Sequence, residues 1–197
     1  MRAGSLKVLY PFKTFVASAC DMVTPTIETS DAGLLVGIHM ATVEDVPRLL
    51  HLARAFHEEN AEAGYLDSFS SDFWCRYWSS LIDANLGILL YCTPSQDSAG
   101  PPVGLLAATV ALCHSDGALQ VTEALWYMED GYRKGSLARR LVQALETFAL
   151  EAEAKRVAMT HLVDETGMRL SKLFKRWGYK PIEVGYIKAV PRTDRED

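Results

Sequence analysis

The run Trp126-Tyr-Met-Glu-Asp-Gly-Tyr-Arg-Lys-Gly-Ser-Leu-Ala-Arg-Arg-Leu141 carries the clearest chemistry in this chain. It reads as a strand, a tight turn through Arg133, Lys134 and Gly135, and a helix that begins near Ser136. Such a turn aims several backbone N–H groups at one spot, where the helix dipole adds about half a positive charge. Arg133, Lys134 and Arg139 place full charges nearby, so the turn suits an anionic cofactor and a phosphate in particular. The helix itself follows from its apolar stripe, Leu137, Leu141, Leu145, Phe148 and Ala152, with Arg140, Gln143, Glu146, Thr147 and Glu151 elsewhere.

A second chemical candidate stands on the strand before the turn. Glu123 interrupts the apolar series Leu119, Val121, Leu125, where a carboxylate pays a desolvation cost. Partial burial would raise its pKa and make it a better base toward an ammonium group. The alternative is a salt-bridged structural carboxylate on a solvent-facing edge. His51 and His57 are six residues apart and share no helix face well, so no metal is assigned to them.

Arg133-Lys-Gly-Ser-Leu-Ala138 resembles the Arg/Gln-x-x-Gly-x-Gly/Ala signature of the GCN5-related N-acetyltransferases. It matches at Arg133 and Ala138 and departs in the middle, where Ser136 replaces a glycine and Gly135 falls one residue early. Ser136 can still donate its N–H and cap the helix with its hydroxyl. Two further segments resemble the family in order and at about its spacing. Gly37-Ile-His-Met-Ala-Thr-Val-Glu-Asp-Val-Pro47 resembles its first strand and helix. Lys172-Leu-Phe-Lys-Arg-Trp-Gly-Tyr179 resembles its late helix and hydrophobic-Gly-aromatic turn. The resemblance covers roughly residues 36 to 190.

The resemblance implies a mixed α/β fold with a mostly antiparallel central sheet, flanking helices and a V-shaped strand gap for acyl-CoA. It implies acetyl-CoA as cofactor and acyl donor, with an amine as acceptor. The backbone of Trp126, Tyr127 and Met128 would pair with the pantetheine arm, while the side chains of Trp126 and Met128 belong to the core. Arg133, Lys134, Gly135, Ser136, Leu137, Ala138 and Arg139 would surround the phosphates. Relatives place a general base on the strand of Glu123, and a tyrosine acid at a position that Phe174 takes here. Phe174 would therefore line the cofactor site without donating a proton, leaving Tyr132 and Tyr179 as nearby phenols. A homodimer is compatible with the family. A binding module that keeps the fold and lacks catalysis is the other reading.

These residues need a scaffold, and the sequence predicts one. A strand over about Val36 to Ala41 leads into a helix that starts at Thr42-Val-Glu-Asp45, with Val46, Leu49, Leu50, Ala53 and Phe56 as its apolar stripe. A second helix over Ser71 to Ala84 carries Phe73, Trp74, Tyr77, Trp78 and Leu81. Strands follow at Leu86 to Cys92, Val103 to Leu112 and Leu119 to Met128, with a polar loop from Pro94 to Pro102 and a turn at Ser115-Asp-Gly117. After the 136–152 helix come a strand from Arg156 to Leu162, a helix from Glu165 to Arg176, and two short strands around Tyr179 to Val190. Residues 34–192 form the expected acetyltransferase domain, 193–197 a polar tail. Residues 1–33 are an extension that is a linker or, alternatively, an extra strand around Val8 to Val16.

Composition narrows the partners. Hydrophobic residues make up 49% of the 197 and charged ones 23%, the balance of a globular domain. A net charge of -5 argues against general nucleic-acid binding, which needs a basic face. No apolar run approaches the roughly 18 residues that would span a bilayer. Cys20, Cys75, Cys92 and Cys113 are scattered, as free thiols in a reducing cytoplasm would be. Pro11 and Lys13 break the apolar core that an export signal would need, so a cytoplasmic location is expected. The acidic segment His57-Glu-Glu-Asn-Ala-Glu62, with Asp67 and Asp72, is by base rate a solvated helix end, and its charge also fits a cationic acceptor.

Overall fold

A computed structural model describes residues 37–61, 68–134 and 136–183. The expected N-terminal extension, the C-terminal tail, Gly135 and the segment 184–190 lie outside these residues. In chain order the elements are β1 (Gly37–Met40), a 3-10 turn (Val43–Asp45), α1 (Val46–Asn60), α2 (Ser71–Asp83), β2 (Gly87–Thr93), β3 (Gly104–Leu112) and β4 (Leu119–Met128). A second 3-10 turn (Asp130–Tyr132), α3 (Leu137–Glu151), β5 (Arg156–Ala158) and α4 (Glu165–Arg176) complete them. The five strands lie in sequence order in one sheet, antiparallel throughout except for the parallel β4–β5 pair.

The middle strands are apolar on both faces because helices cover both. From β2, Ile88, Leu90 and Cys92 pack with Leu137, Leu141, Leu145 and Ala149 of α3. The alternate residues Leu89 and Tyr91 pack with Leu49, Leu52 and Ala53 of α1 and with Trp74 and Trp78 of α2. The period-2 strand pattern thus fills two cores at once.

Several side chains differ from the sequence expectation. In α1 the buried positions are Val46, Leu49, Leu52 and Ala53, so Leu52 takes a place expected of Leu50 and Phe56, which are only partly covered. In α2, whose facing the sequence left open, Trp74 and Trp78 face inward, while Phe73 and Tyr77 stack on each other outside, 60% and 42% exposed. Arg140, expected on the polar side of α3, is buried. The helix start at Thr42–Asp45 exists, with the Asp45 carboxylate accepting from the Thr42 N–H and hydroxyl, but it caps a single 3-10 turn that leads into α1. Ser136 occupies the N-cap of α3 without a capping hydrogen bond. Its backbone is already helical, and a hydroxyl reaches the N2 and N3 amides from extended geometry.

The end of α4 follows the sequence expectation closely. The Tyr179 N–H donates to the Phe174 carbonyl and the Gly178 N–H to Lys175, a Schellman closure with Gly178 at φ +92°. Glycine takes that left-handed conformation without strain. The expected strand from Tyr179 is absent over 179–183, and its remainder lies outside the described residues.

Candidate active site: a strand gap with a buried carboxylate at its apex

The pairing of β4 with β5 is short. It runs Gln120 with Arg156, Val121 with Val157 and Thr122 with Ala158, and stops there. The strand expected over Arg156 to Leu162 therefore ends at Ala158. β4 continues alongside β3 as far as Met128. Among the described residues, its β5-facing edge beyond Thr122 has no strand partner, so a V lies between the two strands.

Glu123 sits where the V begins. It is 6% exposed, and its Oε2 accepts from the Thr160 N–H at 3.0 Å and the Thr160 hydroxyl at 2.6 Å. Burial pushes its carboxyl above the usual carboxylate range, and the two Thr160 hydrogen bonds work against that rise. Of the two readings open for Glu123, a solvent-facing edge residue does not describe this position. Thr160, which sequence reasoning passed over as a strand residue, is what holds the carboxylate.

A bulge decides which way the rest of β4 faces. Ala108 pairs with Glu123 but Ala107 with Leu125, so Ala124 is the extra residue. Leu119 and Val121 pack on the α3 face. After the bulge that face belongs to Trp126 and Met128, while Leu125 and Tyr127 turn to the α1–α2 face. Leu125 therefore does not continue the series that Glu123 was expected to interrupt.

Phe174 is buried on α4 with its ring stacked 6.0 Å from Trp126, and Trp177, Tyr179 and His161 lie around it. α4 begins against this cluster. Asp164 caps it by accepting from the Gly167 N–H, and a Cβ at Gly167 would run into the Leu162 carbonyl and the His161 ring. The indole Nε1 of Trp126 is buried, and among the described residues nothing accepts its hydrogen bond. The Tyr179 hydroxyl donates to Glu146 at 2.9 Å, and burial first and then that carboxylate raise its pKa. Tyr132 packs, partly buried, against the α3-side core.

The cations of the turn are arranged less simply than the sequence implied. Arg139 lies over the Trp177 ring at 4.6 Å and donates to Glu146 at 3.2 Å. Arg133 donates through Nε to the Met128 carbonyl at 2.7 Å, pairs with Asp130 at 2.9 Å, and holds both Glu59 oxygens at 2.7 Å. Lys134 is exposed. Ser136, Leu137 and Ala138 form the first turn of α3 beside it, with Leu137 buried. Glu59 was legible only as part of an acidic segment, because its partner is 74 residues away.

A mixed sheet whose bulged β4 parts from its parallel neighbour and then feeds a turn and a helix is a distinctive architecture. An aminoglycoside acetyltransferase from an uncultured soil metagenomic sample superimposes with a TM-score of 0.62 at 16% identity, covering 79% of this chain and 99% of that one. The fold is that of the GCN5-related N-acetyltransferases. A ribosomal-protein-alanine N-acetyltransferase from Brucella melitensis gives 0.57 at 16% identity over 79% and 99% of the two chains. A predicted acetyltransferase from Clostridium acetobutylicum, solved with acetyl-CoA, gives 0.61 at 12% over 78% and 96%. No protein-family model matches the sequence, and no curated protein does. In this acetyltransferase fold, the Glu123 carboxylate, the open edge of Trp126 to Met128 and the 133–139 turn follow one another along a single stretch of chain. Among the described residues no helix is long and apolar enough to cross a membrane, and no cluster of His, Cys, Asp and Glu has the makings of a metal site.

Proposed function

We propose that this protein is an acetyl-CoA-dependent N-acetyltransferase that moves an acetyl group to a primary amine by direct attack. The observation that carries this reading is the open β4 edge with a buried carboxylate at its apex. The residues fit the cofactor. The edge of Trp126, Tyr127 and Met128 lies beyond the last β5 pairing, and among the described residues the buried Trp126 N–H has no acceptor. The turn from Arg133 through Ser136 leads to the N-terminus of a 15-residue helix, which favours phosphate oxygens. Lys134 and Arg139 add charge at that end.

Bound acetyl-CoA supplies an activated thioester. The chain supplies the proton handling. A primary amine is protonated near neutral pH and must lose that proton to attack. Glu123, with its raised pKa, takes it directly or through a water. Thr160 holds the carboxylate in place, so the base is oriented before substrate arrives. Phe174 gives the sulfur an apolar wall and no proton. A thiol with a pKa of about 8–9 departs without one.

The acidic end of α1, with Glu58 and Glu59 exposed, favours a cationic acceptor such as an aminoglycoside, a polyamine or a peptide amine. The absence of a phenol at Phe174 favours a second reading, an acyl-CoA-binding module without turnover. A thiol-release assay with acetyl-CoA over a panel of amines separates them. Turnover on any amine supports the enzyme, and tight CoA binding with none supports the module.

A further inference from the structure

Arg133 is not turned toward the α3 N-terminus, three residues beyond Lys134. Its guanidinium lies across Glu59 of α1, with both carboxylate oxygens at 2.7 Å, and over the Tyr127 ring at 5.1 Å. The Tyr127 hydroxyl donates to the same Glu59 oxygen at 2.8 Å. A carboxylate beside an aromatic face is a cation-binding pair, and the arginine head group fills it. The pair is not a buried strut. Arg133 and Glu59 are 41% and 44% exposed, the setting in which an ion pair is worth little and yields readily to a competitor. Asp130, the second anionic partner, is 88% exposed, and the Arg133 Nε bond to the Met128 carbonyl can persist while the outer guanidinium nitrogens change partners.

We infer that Arg133 is a latch shared between two sites. When the phosphates of an acyl-CoA settle at the turn, they compete with Glu59 for the guanidinium. Its release leaves Glu59 and the Tyr127 ring open to the ammonium group of the acceptor. Cofactor binding then precedes acceptor binding, and the chemical class selected is a primary amine carrying positive charge beside the reacting nitrogen or at it. Tyr127 links the two events because it lies on the strand whose edge receives the cofactor arm while its ring faces α1. This inference rests on the acetyl-CoA reading above.

Calorimetry with CoA and with pantetheine, which lacks the phosphates, tests it. In Glu59→Gln the competitor is gone, so CoA binds about two- to fivefold more tightly, the range that an exposed ion pair allows, while pantetheine binding is unchanged. In an Arg133→Gln background the Glu59 substitution no longer affects CoA. For the enzyme, Glu59→Gln raises the KM of a dicationic amine while kcat holds. Unchanged or weaker CoA binding in Glu59→Gln, with wild-type circular dichroism, overturns the latch and makes the pair a fixed brace. Equal tightening of CoA and pantetheine also overturns it, because the effect would then run through the strand edge. Failure of the wild-type protein to bind either ligand overturns the cofactor reading itself, and the latch with it.

Discussion

Glu123 and Thr160 meet at the point where β4 and β5 part company. One carboxylate oxygen accepts both the backbone N–H and the hydroxyl of Thr160, just beyond the last pair, Thr122 with Ala158. The contact lies just past the end of the parallel ladder and anchors the candidate base. A side chain that takes a backbone donor for itself satisfies that donor outside the ladder and holds the carboxylate in a fixed orientation.

Replacing that carboxylate should separate chemistry from folding. Glu123→Gln keeps an oxygen that accepts both Thr160 bonds, so fold and CoA affinity should persist. Turnover near neutral pH should fall by about 10²–10⁴-fold. In the wild-type protein the acid limb of kcat should lie above the ordinary glutamate range and vanish in the variant. Full activity per folded molecule in Glu123→Gln would make the residue structural.

The same raised pKa carries a stability prediction. The folded protein holds the Glu123 proton more tightly than the unfolded chain does, so this contribution is complete below the unfolded value of about 4.3. It is lost as pH rises through the folded value. Glu123→Gln has no such loss. The melting temperature of the variant relative to wild type should therefore climb between pH 4 and pH 8, as read by thermal melts across that range. A difference that is flat or falls with pH contradicts the burial argument.

Tyr179 should behave as a structural residue. Its hydroxyl is tied to Glu146, and its raised pKa suits holding a proton rather than delivering one. Tyr179→Phe should cost about 1.5–3 kcal/mol in chemical denaturation, the range for a hydrogen bond to a charged group, and leave kcat within about twofold. A sharp fall in kcat at unchanged stability would instead make it the missing acid.

Phe174→Tyr asks whether an acid helps here. The ring position is fixed by Trp126, Trp177 and Tyr179, so the added hydroxyl should fold in place with little change in KM for acetyl-CoA. The rate should hold or rise modestly. A large loss of stability would show that the ring cluster has no room for a polar atom and that the gap does not reach Phe174.

What the sequence made legible was the periodic part. The apolar runs of β2 and β3 between their turn residues, the stripe of α3 and the Trp-Gly-Tyr closure of α4 all declare themselves within a few residues. The facing of β4 did not. Nothing in Glu-Ala-Leu marks Ala124 as a bulge, and an unbroken period of two sends Leu125 to the wrong face. Nor did local pattern tell Trp74 and Trp78 from Phe73 and Tyr77, since all four are apolar and only the seat of α2 against α1 decides. The site was half visible. Glu123 stood out as a charge on an apolar strand, but Thr160 and Glu59 gain their roles from partners 37 and 74 residues away. Arg133 looked like a free cation for the same reason.

The central claim is acyl transfer to an amine, and the most direct measurement follows both products together. Purified wild-type protein is incubated with acetyl-CoA and each of an aminoglycoside, a polyamine and a peptide with a free N-terminus. Free thiol and acetylated amine are quantified by mass spectrometry. The account predicts that for at least one cationic amine the two appear in equal amounts and that Glu123→Gln slows both equally. Thiol release that never yields an acetylated amine, or CoA binding with neither product from any amine, would contradict it.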